Sequence, residues 1–307
     1  MNLNHPHRIL FERPDLNELT QKYTVVDMHF HSHHSDGFNK IPSIAARARA
    51  LNIGIAITDH NAIQGALEID NYKDILSIPG IEVTSAEGTH ILIYFYDIES
   101  LRVFYENDIK PHMGHELMSS IAFEMEEIIR RARFFKTVII FPHPYAGVYT
   151  GISNHYFPDN RLEPIFDLID GVEVINAENL NRWNLRSAIL GFNLDKCITG
   201  GSDGHRLVQM GRAVSYAACK PSRKAFLNAV KKKKNMVIGK EIDIIRKVTS
   251  NGVKLRSNIK NYPDLVEKNL KYGYSLINTK SKAIKKNFKR SFNGRVKERQ
   301  KKIRTFK

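Results

Sequence analysis

Short runs of β-branched or apolar residues punctuate the first two thirds of the chain, at Thr24–Met28, Ile53–Thr58, Ile78–Val83, Ile91–Tyr96, Thr137–Phe141, Val172–Ile175 and Lys196–Thr199. Runs of this length and composition suit strands buried on both faces. Helical patterns lie between them at Ser43–Leu51, His115–Phe135, Arg161–Ile169 and Leu180–Leu190, with Ser43 placed to serve as an N-cap. The βαβα order predicts an α/β domain on a parallel sheet, open or closed into a barrel, with chemistry at the carboxyl ends of the strands.

Those strand ends carry an unusual set of side chains. The first strand runs into Asp27-Met28-His29-Phe30-His31-Ser32-His33-His34-Ser35-Asp36-Gly37, and the second into Thr58-Asp59-His60. Glu82 sits in the third run, and His90 opens the fourth. Later runs end at Phe141-Pro142-His143-Pro144 and Gly201-Ser202-Asp203-Gly204-His205. Residues two apart in a strand point to one side, so His29 and His31 can grip one ion, as can Asp203 and His205. A single histidine is far more often a surface or core hydrogen-bonding group, and His5, His7, His33, His34, His112, His115 and His155 are expected to be that. The constellation is different. Six histidines and three carboxylates at successive strand ends are costly to bury without compensation, which divalent cations supply. Mixed imidazole and carboxylate donors suit Zn, Mn or Fe better than Mg or Ca.

The motifs HxH (His29, His31), SDG (Asp36), TDH (His60), GxE (Glu82), the isolated His90, the Pro142-His143-Pro144 tripeptide and Ser202-Asp203-Gly204-His205 together resemble the polymerase and histidinol phosphatase (PHP) superfamily of metal-dependent phosphoesterases. The resemblance covers about residues 24–217. It implies a distorted (β/α)7 barrel, in a domain placed at residues 24–239; residues 1–23 read as a leader and, from their charge, residues 240–307 as a basic, partly helical extension. The resemblance also implies two to three divalent ions in a trinuclear site. His29, His31, Glu82 and Asp203 would hold one, Glu82, His90 and His143 a second, and Asp36, His60 and His205 a third. Glu82, Asp203 and His205 would be the catalytic residues, and a hydroxide shared between ions would attack a phosphomonoester or terminal phosphodiester. Arg206 and Arg212 are candidates for the substrate phosphate, and Asp27 and Asp59 for orienting ligand imidazoles. The interval between His90 and His143 lacks the large insertion of members that act on nucleoside bisphosphates or RNA ends, which lowers the weight of a nucleotide or RNA substrate without removing it.

Charge divides the chain sharply. Residues 220–307 hold 28 Lys+Arg against 5 Asp+Glu, a net charge of +23, whereas the first 219 residues carry −8. Ile284, Phe288, Phe292 and Val296 recur every fourth residue among lysines and arginines, the pattern of a basic amphipathic helix. Such a segment could pack on the barrel, or hold RNA, another polyanion or an acidic membrane surface. The rival to an enzyme is therefore a nucleic-acid-binding or scaffold protein that keeps the barrel for its fold. An intact ligand set favours the enzyme.

Composition bounds the remainder. With 307 residues, 42% hydrophobic and 26% charged, the chain can bury a sizeable core, and global disorder is excluded. No apolar run approaches the ~18–20 residues of a membrane span, and Met1–Leu19 lacks the apolar stretch of a signal peptide. Cys197 and Cys219 have no CxxC spacing, so a reducing cytoplasm is the expected compartment. The Gly200–Gly204 run lacks the GK[ST] of a P-loop, and no GxSxG elbow occurs.

Overall fold

The structure is a computed structural model that describes residues 8–114, 116, 118–146, 150–151 and 159–241. The basic stripe at Ile284–Val296, His115 and His155 lie outside the described residues. In chain order the elements are β1 (Ile9–Leu10), α1 (Leu16–Lys22), β2 (Thr24–Phe30), α2 (Ile41–Leu51), β3 (Gly54–Ile57), α3 (Gln64–Ile69), β4 (Gly80–Thr84), β5 (His90–Phe95), α4 (Ile98–Phe104) and α5 (Met125–Ala132). There follow β6 (Thr137–Phe141), α6 (Asp159–Leu168), β7 (Gly171–Asn176), α7 (Asn181–Asn193), β8 (Cys197–Gly201), β9 (Ala213–Ala217), α8 (Arg223–Lys231) and β10 (Met236–Gly239). No described helix is long and apolar enough to cross a membrane.

Every expected strand forms, but pairing departs from an all-parallel barrel. Two five-stranded sheets are present, ordered β1-β10-β9-β2-β3 and β4-β5-β6-β7-β8. The pairs β2–β3, β6–β7 and β7–β8 are parallel, whereas β4–β5, β5–β6 and β2–β9 are antiparallel. The expected barrel does not close through continuous ladders. Among the described residues, only isolated pairs run between the sheets, Ile55↔Ser77, His60↔Glu82 and Phe30↔Gly204. Two of these seams pass through ligand-bearing strand ends, where the backbone leaves the ladder to turn side chains inward.

Local chemistry explains where elements begin. Ser43 does not cap α2; the helix starts at Ile41 with Lys40 before it, because a proline in the first turn presets helical φ and has no N–H to satisfy. The long helix expected at His115–Phe135 contracts to α5, which buries Met125, Ile128, Ile129 and Ala132. The nominal leader contributes β1, whose Ile9 and Leu10 pair in parallel with Val237 and Ile238. Helices α5 and α8 cover the sheets through fully buried stripes, Phe226, Leu227 and Val230 in the case of α8. The interior is therefore apolar toward the helices and polar where the strand ends converge.

Candidate metal centre

All nine ligand-type residues named from the sequence converge in one buried cluster. Four groupings bring donor atoms within 4.8 Å of one another: His29, His31 and Asp203; His31, Asp36 and His205; His31, His60 and Glu82; and Glu82, His90 and His143. His31, on the loop after β2, belongs to three of them, so it sits closer to the centre than the ligand sets expected from the sequence place it.

Strand geometry accounts for the convergence. His29 projects from β2, Glu82 from β4, and His90 stands at the start of β5, paired with Thr84 across the β4–β5 ladder. A Cβ on Gly201 would stand 2.4 Å from the His29 Cβ, so only glycine lets β8 approach β2 this closely. His143 and Asp203 both occupy left-handed backbone conformations, with φ of 29° and 49°. Such conformations cost free energy and persist where surrounding contacts enforce them. For His143 those contacts include its N–H, which donates to Glu173 Oε2 at 2.8 Å.

Distances around Glu82 are those of shared coordination. Its Oε2 lies 3.2 Å from His29 Nε2, 3.4 Å from His31 Nε2 and 3.3 Å from His60 Nδ1. Its Oε1 lies 2.9 Å from His90 Nδ1 and 3.1 Å from His143 Nε2. His29 Nε2 is also 3.1 Å from His31 Nε2 and 3.4 Å from Asp203 Oδ1, and His31 Nε2 is 3.0 Å from that oxygen. Two donors bound to one ion at about 2.0–2.1 Å are themselves about 3.0–3.4 Å apart, so these spacings fit a common cation. Asp36 Oδ2 lies 2.9 Å from His205 Nε2, and its Oδ1 lies 3.6 Å from His31 Nδ1 and 3.9 Å from His60 Nε2.

Proton accounting leads to the same place. His29 Nδ1 donates to Glu173 Oε1 at 2.9 Å, which fixes the tautomer and turns the Nε2 lone pair toward Glu82 and Asp203. A lone pair facing two carboxylates requires a cation or a proton between them. Three further buried nitrogens, Nδ1 of His31, His60 and His143, have no hydrogen-bond partner. The donor set therefore fits divalent metal.

The buried charges of the cluster shift one another's ionisation strongly. Burial acts to lower the His29 pKa, but Asp203, Glu173 and Glu82 outweigh it and lift the imidazole well above its ordinary value. Burial acts to raise Glu82, and the surrounding His60, His90 and His29 drive it well below the carboxylate range. His60 falls well below its ordinary value because burial dominates. Imidazoles in one cluster are thus pushed in opposite directions.

The two aspartates expected to orient imidazoles do other work. Asp27 accepts from the N–H groups of Ser202 at 2.8 Å and Gly211 at 2.9 Å, tying β2 to the segment after β8. Asp59 accepts from Ser32 N at 2.7 Å, Ser32 Oγ at 2.6 Å and Ser35 Oγ at 2.7 Å, which shapes the loop carrying Asp36. The orienting carboxylate is Glu173 on β7, steadied by Asn176, whose Nδ2 donates to Glu173 Oε2 at 3.0 Å and Asp203 Oδ2 at 3.1 Å. Glu173 stands alone among apolar neighbours in the buried run Gly171-Val172-Glu173-Val174-Ile175, a signal the sequence offered. Of the two candidate arginines, Arg206 lies over the Phe38 ring and Arg212 donates from Nε to the Val208 carbonyl at 3.1 Å. His34 pairs with Glu68 at 2.7 Å near the surface, and His112 packs on Phe123, the ordinary roles expected of them.

Comparison with known proteins bears on the family and the fold. The PHP domain family model matches residues 27–181, just over half of the chain and ending before Asp203 and His205. An uncharacterized protein of Methanocaldococcus jannaschii is 28% identical over 127 residues, 40% of this chain and 57% of that protein, so the similarity spans little more than half of the relative's length. Among solved structures, a two-domain protein of Bacteroides vulgatus containing a predicted PHP-like metal-dependent phosphoesterase has a TM-score of 0.55 at 17% identity, covering 78% of this chain and 73% of that one. The lesion-specific endonuclease Q of Pyrococcus furiosus has a TM-score of 0.54 at 17% identity, covering 70% of this chain and 57% of that one. At such identity these two likenesses concern the fold. With the family match running from β2 to the start of α7, across strands that deliver most of the cluster, the chain belongs to the PHP domain family.

Proposed function

We infer that the protein is a metal-dependent phosphoesterase that hydrolyses a phosphomonoester or a terminal phosphodiester. The observation that carries this reading is the meeting of five imidazoles within 3.4 Å of Glu82, with Asp36 and Asp203 completing a buried, mixed-donor cluster. His29, His31, Glu82 and Asp203 would hold one ion, Glu82, His90 and His143 a second, and Asp36, His60 and His205 a third, with His31 also reaching toward the third set. Divalent Zn, Mn or Fe bound there would supply Lewis-acid charge and make water acidic enough to attack near neutral pH.

The chain's own groups do the remainder. Glu173 keeps the His29 proton on Nδ1, and Asn176 holds the Asp203 carboxylate toward the cluster. Arg206 follows His205 directly and brings a guanidinium to the rim, where it can pair with phosphoryl oxygens. The Ser32 and Ser35 hydroxyls are committed to Asp59, so the reading assigns attack to water and no covalent phosphoenzyme.

The test uses the purified full-length chain. Metal analysis should find two to three transition-metal ions per chain, and chelation should abolish phosphoester hydrolysis that returned metal restores. In ¹⁸O-labelled water, one turnover should place the label on released phosphate. A fully active metal-free protein, or a phosphorylated side chain trapped during turnover, overturns the reading.

A further inference from the structure

Phe38 lies two residues beyond Asp36 and keeps 42% of its surface in solvent. Its position is built. The Phe38 N–H donates to the His205 carbonyl at 2.9 Å, the Leu207 N–H to Asn39 Oδ1 at 3.1 Å, and the His33 N–H to the Asn39 carbonyl at 3.1 Å. The Gln209 side-chain oxygen accepts from the N–H groups of His205 at 2.9 Å and Arg206 at 2.7 Å, which fixes the backbone under the arginine. The Arg206 guanidinium then stands 4.9 Å from the centroid of the Phe38 ring. Val208, two residues after Arg206 in the same loop, is 67% exposed. An exposed aromatic ring and a cation are thus held on the two loops that carry Asp36 and His205.

Neither group serves the core, and neither is a metal ligand. A partly exposed aromatic ring with a guanidinium over one face is the chemistry that receives a nucleobase on its other face while the phosphate is held nearby, since every base has a π-face and stacks without sequence-specific hydrogen bonds. A sugar phosphate lacking a base gains nothing from the ring. We propose that Phe38 and Arg206 form a stacking subsite through which the phosphoesterase selects substrates bearing a nucleobase next to the scissile phosphate. The proposal rests on the phosphoesterase reading of the metal cluster and adds the class of its leaving group.

Adenosine monophosphate and ribose 5-phosphate, which share the phosphate and sugar but differ in the base, are the probes. For the full-length chain, kcat/KM should favour the nucleotide, and Phe38→Ala should lower the ratio of the two values by about 5- to 150-fold, mainly through KM for the nucleotide. Phe38→Trp should restore the ratio, because a larger ring stacks as well. Equal ratios in the parent and Phe38→Ala, or a Trp variant no better than Ala, overturn the subsite. Calorimetric titration of the same proteins with both compounds separates the two readings. A nucleotide preference that depends on Phe38, without turnover of either compound, supports the subsite and counts against hydrolysis. Turnover of both compounds with equal affinities overturns the subsite and leaves hydrolysis standing.

Discussion

The two ends of the metal cluster are supported differently. Behind His29 stands a second carboxylate, Glu173, itself 1% exposed and held by Asn176, so this end is braced from the core. Asp36 and His205 are placed by loops, through Asp59, Gln209, Asn39 and backbone hydrogen bonds between the loops. Fully buried partners tolerate little displacement, and each removed partner leaves a charge unsatisfied. Loop stitching lets side chains such as Phe38 and Arg206 reach the surface beside the same ligands. Under the proposed function, metal affinity would rest chiefly on the core-braced end and substrate choice on the loop-built end.

The largest test strikes the group joining the ends. Glu82→Gln keeps shape and volume but offers only a neutral, weak ligand to the ions that it would share with the five imidazoles lying within 3.4 Å of the carboxylate. Loss of metal charge stabilisation worth several kcal/mol corresponds to at least about a hundredfold fall in kcat. Elemental analysis should show at least one ion fewer per chain. Unchanged metal content and rate would remove Glu82 from the centre and dissolve the comparison.

A chemical probe tests whether the floor beneath the core-braced end opens. Cys197 begins β8, where it pairs with Gly171 of β7, and burial pushes its thiol up to about 12. An ordinary cysteine titrates near 8.5, so the thiolate fraction at that pH should be about a thousandfold lower for Cys197. Raising the pKa removes the nucleophilic form, so the expected sign is protection. Half-buried Cys219 is also raised, by burial, although its hydrogen bond with Thr24 lowers it. Iodoacetamide should therefore label Cys219 in the native protein, more slowly than free cysteine, and Cys197 only in denaturant. Mass spectrometry showing prompt native labelling at Cys197 would mean that the β7–β8 floor opens.

How far the sequence reached depends on whether its signals were local. The nine ligand-type residues were legible because most sit in short motifs in or near strand ends, and burying so many ionisable groups without a cation would leave their charges uncompensated. Glu173 was not legible as the partner of His29, since 144 residues separate them. Its lone charge in a buried strand was the available clue. The antiparallel β4–β5 pairing had a local signal that strand composition alone conceals. Only Ser85–Thr89 joins the two strands, too short for the dozen or more residues of a parallel crossover. Barrel closure depends on how the strand ends meet across the cluster, and no single segment encodes it.

The finest test concerns Glu173. Its two oxygens serve His29 Nδ1–H, the His143 N–H and the Asn176 amide, three donors around one carboxylate. Glutamine would present one oxygen and one NH₂ group to them, so at least one donor loses its acceptor and faces another donor. Orienting partners of this kind are typically worth about 10- to 100-fold in metal affinity, and Glu173→Gln should weaken metal binding by that factor in a chelator competition. The His29 ring should lose its fixed tautomer, visible in its ¹⁵N shifts, whereas a purely structural defect would lower the melting temperature without that signature. The preference for adenosine monophosphate over ribose 5-phosphate should stay close to that of the parent, because the loops carrying Phe38 and Arg206 take their hydrogen bonds from Gln209, Asn39 and His205. A variant that changes base preference as strongly as metal affinity would show that the two ends act as one unit.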